Sequence, residues 1–168
     1  SGCTPTGSGS AMRSAVIVDS LLVVSVAKSG LQIYRINPDF SLGYCGTALG
    51  LNEIDLVVDI PTWPECVAAV SYNQLSRIIL TNPRFPKTDT TIELPLRVQA
   101  GFADDTALYL IGPESTAVWS LPSNGALPIY LGATPCGGQS VAGNGKVMAI
   151  TNGDAIYTFD LRSPTDVT

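Results

Sequence analysis

Hydrophobic and polar residues alternate along this chain over short stretches, and four segments repeat one plan. Residues 19–38 read DSLLVVSVAKSGLQIYRINP and residues 65–83 read ECVAAVSYNQLSRIILTNP. Residues 105–122 read DTALYLIGPESTAVWSLP and residues 145–164 read GKVMAITNGDAIYTFDLRSP. Each opens on a polar residue or glycine and runs through five or six β-rich positions. A short turn and a second β-rich run follow, and each segment closes on proline, at Pro38, Pro83, Pro122 and Pro164. A period of two places alternate side chains on opposite faces of a strand, as where Ile156, Thr158 and Asp160 oppose Tyr157, Phe159 and Leu161. No stretch sustains a period of 3.6 behind a capping residue, so almost no helix is expected.

Further strand candidates flank these pairs. Ala15–Val18, Ile54–Val58, Leu96–Ala100 and Gln139–Ala142 precede them, while Phe40–Cys45, Thr90–Leu94 and Leu127–Leu131 follow the first three. Tight turns are predicted at Asp19-Ser20, Asp104-Asp105 and Asn144-Gly145, residue types that tolerate positive φ. The segments start at residues 19, 65, 105 and 145, spacings of 46, 40 and 40 residues that suit propeller blades. The fold expected is all-β and β-propeller-like, four units of about 40 residues stacked radially so that each sheet buries its apolar face on a neighbour. A β-sandwich, which also uses many short strands with frequent turns, is the alternative. Residues 1–13 read as a Gly/Ser-rich N-terminal segment and residues 14–168 as the four-unit domain. The fourth unit is incomplete, and its outermost strand is expected from the N-terminal residues, another chain or further sequence.

Composition narrows the function classes. Nine basic against fourteen acidic residues give a net charge of −5, and the basic residues are scattered, which argues against a nucleic-acid-binding face. The chain contains no histidine, so the usual general base, the Ser-His-Asp and Cys-His systems and most catalytic zinc sites are excluded. No apolar run reaches the roughly 20 residues that span a bilayer; the longest, Ala15–Ala27, is broken by Asp19 and two serines. Cys3, Cys45, Cys66 and Cys136 form no Cys-x-x-Cys pair. They permit three disulfide pairings or serve as small buried apolar residues. Cys3 also stands where a bacterial lipoprotein would carry its lipid.

No acidic constellation reads as catalytic. Asp104 and Asp105 are adjacent, so on a strand they point apart, and a hairpin turn accounts for both. Asp55 and Asp59 share a strand face without a third ligand. Asn152-Gly153-Asp154 lacks the alternate acidic ligands of a calcium loop. Lys28-Ser29-Gly30 and Gly143-Asn144-Gly145-Lys146 lack phosphate-loop spacing, so all three stretches read as turns. No catalytic, cofactor or metal residue is assigned. Trp119 reads as core. Trp63, in the Pro-rich stretch Ile60-Pro61-Thr62-Trp63-Pro64, is a candidate interface anchor or a ring folded onto a blade edge.

The segment DSLLVVSVAKSGLQIYRINPDFSLG resembles the units of bacterial short-repeat propellers, and GNGKVMAITNGDAIYTFDLRSP is similar. Residues 7–43, with GSGSAMRSAVIVDSLLVVSVAKSGLQIYRI ending in SLG, resemble the first blade of tail-nozzle proteins of short-tailed bacteriophages. In that family a Gly-rich loop precedes an arginine, here Arg13. The resemblance implies a structural ring-forming role and makes Arg13 a second interface candidate. The expected function is a non-catalytic structural or docking module of a larger assembly, concretely a virion or phage tail component. Its partners would be other protein subunits in a homo- or hetero-oligomer. The competing expectation is a secreted or lipid-anchored binding domain for a glycan, peptide or envelope partner. The two place the chain in the virion, or outside the cell or at the cell envelope.

Overall fold

A computed structural model describes residues 11–48 and 53–161. The chain forms four antiparallel sheets arranged as the blades of a four-blade β-propeller, with no helix among the described residues. The first blade comprises β1 (Met12–Val18), β2 (Leu21–Val26), β3 (Gly30–Ile36) and β4 (Leu42–Ala48). The second comprises β5 (Leu56–Val58), β6 (Cys66–Ser71), β7 (Gln74–Ile79) and β8 (Lys87–Glu93). The third comprises β9 (Ala100–Ala103), β10 (Ala107–Ile111), β11 (Thr116–Ser120) and β12 (Ile129–Thr134). The fourth has three strands among the described residues, β13 (Ser140–Gly143), β14 (Val147–Asn152) and β15 (Ala155–Asp160). Every ladder joins strands consecutive in sequence, so each blade is a simple meander. The radial arrangement replaces the β-sandwich alternative.

Local chemistry sets the turns. Asp19 takes φ 53° in the two-residue link between β1 and β2, and Gly153 takes φ 56° between β14 and β15. Between β9 and β10, one Asp104 carboxylate oxygen accepts from the backbone N–H groups of Thr106 (2.7 Å) and Ala107 (2.8 Å) and from the Thr106 hydroxyl (2.8 Å). This aspartate is therefore spent as a turn former. The Lys28-Ser29-Gly30 stretch is likewise a turn, with Lys28 at φ 66° and the Ser29 N–H donating to Val26. A register shift recurs between the third and fourth strands of each four-stranded blade, at Ile33/Tyr34, Arg77/Ile78 and Val118/Trp119. Such bulges sharpen the twist of the outer strand.

One predicted strand is misplaced. Leu96–Ala100 is irregular up to Gln99, and β9 starts only at Ala100. Pro95 cannot donate to a ladder, and the apolar residues after it serve packing instead: Val98 is buried in the seam between blades two and three, with Leu96 against it.

The seams are apolar. Between blades one and two, Val18, Val23, Leu31 and Ile33 meet Ile54, Val57, Val67 and Ile78. Between blades two and three, Trp63, Val70 and Leu75 meet Leu108, Leu110 and Trp119. Between blades three and four, Tyr109, Ile111 and Val118 meet Met148 and Ile150. Each aliphatic side chain fully buried this way contributes about 1.5–3 kcal/mol. Where innermost strands converge, side chains must be small. A Cβ on Gly101 of β9 would lie 2.8 Å from Leu56 Cδ2 and 3.0 Å from Val58 Cγ2 of β5. Ser14 of β1 hydrogen-bonds across the first seam, its hydroxyl accepting from the Val57 N–H at 3.2 Å.

Candidate functional site

The two interface candidates occupy seams. Trp63 lies in the connection between β5 and β6 and is only 2 % exposed, so it is not available to a partner. Its indole N–H donates to the Ala126 carbonyl at 3.1 Å, and the Arg77 guanidinium covers its ring at 5.2 Å. The ring thus fastens blade two to blade three, and the fixed Pro-rich loop serves to insert it. Arg13 of β1 is paired with Asp55, whose other oxygen accepts from the Tyr72 N–H at 3.1 Å. It ties the first blade to the start of the second. Trp119 is core, as expected, with Tyr130 packed on it at 5.0 Å.

Arg77 and Asp89 are also engaged in structure. Arg77 donates to Asp89 through Nε at 2.7 Å and to the Gly125 carbonyl through Nη1 at 2.8 Å. These hydrogen bonds hold the Asp89 carboxyl below the usual aspartate range. Asp55 and Asp59 do not act together, since Asp55 faces Arg13. Burial, with a smaller contribution from Asp19, pushes the Asp59 carboxyl above its ordinary 3.8. A raised acid is stable while protonated, and its ionised form costs the fold as pH rises through the shifted value. Asp59→Asn is therefore expected to raise the melting temperature at pH 7. The gain should vanish below pH 3.8, where the wild-type carboxyl is protonated in both states; melting curves across that window check it.

Cys45, Cys66 and Cys136 are free, half-buried thiols, which removes any disulfide among these three; Cys3 lies outside the described residues. Burial raises the Cys66 and Cys136 thiols, so neither has the lowered pKa of a reactive cysteine. Among the described residues, no three His, Cys, Asp or Glu side chains converge as a metal site.

Two features escaped the sequence reading. The first is a cleft of about 440 Å³ between blades three and four. Pro113 and Glu114 of the β10–β11 turn, Cys136 and Gly137 of the β12–β13 connection, and Tyr157 and Phe159 of β15 line it. The β12–β13 connection is held by the Thr116 hydroxyl, which donates to the Cys136 carbonyl at 2.6 Å, and by the Gly138 N–H on Gly112 at 2.9 Å. Aromatic walls with a single carboxylate suit binding an extended segment better than proton transfer between paired groups. The Gly-Gly of TPCGGQ was the available signal, since adjacent glycines mark close backbone approach.

The second feature is the amount of apolar side chain left facing outward. Leu42 and Tyr44 on β4 are exposed, and so are three successive residues of β12, Ile129, Tyr130 and Leu131. Both strands are blade rims. Exposed apolar groups on an outer strand mark candidate interaction surfaces, here one on blade one and one on blade three.

No protein-family model matches the chain, and no curated protein does. Solved structures do. A functionally unknown protein from Desulfotomaculum acetoxidans superposes with a TM-score of 0.69 at 10 % identity, over 85 % of this chain and 51 % of that one. The chain thus spans about half the length of that protein. The computationally designed Ika4 protein matches with a TM-score of 0.66 at 10 % identity, over 94 % of this chain and 96 % of its own. The computationally designed Ika8 protein matches equally well, at 0.66 and 9 % identity, over 95 % of this chain but 48 % of its own. At such identities the likeness is one of fold, and the fold is that of a β-propeller.

Proposed function

We propose that this chain is a non-catalytic docking module of a larger protein assembly, in its concrete form a structural component of a short-tailed phage virion. The observation that carries the docking reading is the exposed apolar side chains on two separate blade rims, Leu42 and Tyr44 on β4 and Ile129, Tyr130 and Leu131 on β12. A solvent-facing edge built for solubility alone would carry charge. Asp104 forms a turn, Asp55 with Arg13 ties blade one to blade two, and Asp89 with Arg77 joins β7 to β8. The virion reading rests on the resemblance of residues 7–43 to the first blade of tail-nozzle proteins. Partners on this reading are other protein subunits of the tail.

Immunogold electron microscopy with an antibody against the chain tests the proposal in the organism or phage that encodes it. Gold at the tail of short-tailed particles is the expected result. Gold confined to the cell envelope would overturn the virion assignment in favour of an envelope-binding domain.

A further inference from the structure

The seam between blades two and three shows how this fold holds a guanidinium. Arg77 of β7 lies over the Trp63 ring at 5.2 Å. It donates to the Asp89 carboxylate through Nε at 2.7 Å and to the Gly125 carbonyl through Nη1 at 2.8 Å. An aromatic face and a carboxylate are the two groups best matched to a flat, five-donor cation. The cleft between blades three and four gathers those same two groups, with no guanidinium among its lining residues.

Tyr157 and Phe159 alternate along β15, so their rings lie on one side of the sheet. Their ladder partners Ile150 and Met148 are buried against blade three, which fixes that side as the one facing the seam. Phe159 packs on the seam, whereas Tyr157 is 42 % exposed. Glu114 reaches the cleft from the β10–β11 turn of blade three. Among the described residues that line it, Glu114 alone is charged, and neither ion pair of the described residues includes it. Asp154, in the β14–β15 turn, adds charge of the same sign beside Asn152. The nearby basic residues are directed elsewhere: Arg97 lies over Tyr72 at 5.7 Å, and Lys146 sits at the opposite end of β14. With a net charge of −5 over the chain, the field at the cleft favours a cation.

The walls are fixed in advance. The Gly112 N–H closes the β10–β11 turn on Ser115 at 2.8 Å, and the Gly138 N–H holds the β12–β13 connection to Gly112 at 2.9 Å. At Gly137 the two backbones are so close that a Cβ would come within 2.4 Å of the Glu114 nitrogen. A ligand therefore meets a preformed cleft and spends little of its binding energy on ordering the protein.

We propose that the cleft receives an arginine side chain from an extended segment of the protein partner. The inference rests on the docking reading above and states what the partner presents. The guanidinium donates to the Glu114 carboxylate and stacks on Tyr157. Arginine suits the site better than lysine because its planar head can stack and fork to a carboxylate at once. The cleft of about 440 Å³ also has room for the backbone on either side of that residue.

The test is a two-dimensional NMR titration of the 168-residue chain with the capped peptide acetyl-Gly-Ala-Arg-Ala-Gly-amide. Saturable shifts are expected at the amides of Glu114, Gly137 and Tyr157, with a dissociation constant of about 1 mM or tighter. Citrulline in place of arginine keeps the shape and removes the charge, and should weaken binding about tenfold or more. Glu114→Gln should do the same with unchanged far-UV circular dichroism. Asp105→Asn makes an equal change of charge in the β9–β10 turn, at the far end of β10, and should bind as the wild type does. Tyr157→Leu should weaken binding about threefold through loss of the aromatic face. The absence of saturable shifts would overturn the proposal, and so would undiminished binding by Glu114→Gln or of the citrulline peptide. Equal affinity for N-acetyl-arginine amide would also overturn it, since the occupant would then be a small guanidinium compound and not a polypeptide. The docking reading is separable: gold at the phage tail from a chain that binds no arginine peptide would retain docking and discard the cleft.

Discussion

Trp63→Ala is expected to lower the free energy of unfolding by about 3–5 kcal/mol, the usual cost of truncating a large buried aromatic. The mechanism has three parts at one residue. The ring fills the seam between blades two and three at 2 % exposure, so its loss leaves a cavity bounded by two rigid sheets. The Ala126 carbonyl loses its donor. Arg77 loses the ring beneath its guanidinium, although its bonds to Asp89 and Gly125 remain. Urea titration should show a lower midpoint with an unchanged slope, because the surface exposed on unfolding hardly changes. Trp63→Phe separates the parts: most of the volume stays, and the lost hydrogen bond should cost only about 0.5–1.5 kcal/mol. If alanine and phenylalanine cost the same, the hydrogen bond rather than the ring would be the fastening.

Gly137→Ala carries the second large effect, an expected loss of about 1–3 kcal/mol from overpacking. A Cβ at this position would lie 2.4 Å from the Glu114 nitrogen and from the Pro113 carbonyl carbon and oxygen. These are backbone atoms in a turn closed by the Gly112 N–H on Ser115, so no side chain can swing aside to make room. The connection between β12 and β13 must then lift away from the β10–β11 turn. That movement distorts the cleft and loosens the seam that holds blade four. Native-state hydrogen exchange should accelerate in β13, β14 and β15 well before it does in blades one and two. Uniform acceleration across all four blades would show that the seams open together and that this contact is not a local fastening.

The blade plan was legible because it is written twice over, in period-two alternation and in turn residues. Asp19, Asp104 and Gly145 mark hairpins that the structure places where the sequence predicts them. Leu96–Ala100 misled because apolarity reports burial and not hydrogen bonding; Val98 is buried without pairing in a ladder. Trp63 showed the opposite problem. A tryptophan in a Pro-rich loop can fold inward or outward with the same local sequence. The choice was made by the distant Ala126 carbonyl and Arg77, 63 and 14 positions along the chain. The cleft was illegible for a similar reason, since its lining comes from a turn, a connection and two strands whose convergence is a property of blade stacking. The repeated bulges beside β3, β7 and β11 left no residue signature that the four segments share.

The strictly consecutive strand order bears on how the chain acquires its shape. Each ladder needs only a short loop to close, so little chain entropy is lost before the first cross-strand bonds form. Isolated hairpins of this kind close in about 1–10 μs. The slow events should be those that bring one sheet against the next, because only they join residues far apart in the chain. On a ribosome, the blades would emerge in order, each able to complete its own meander before the apolar face of its successor arrives.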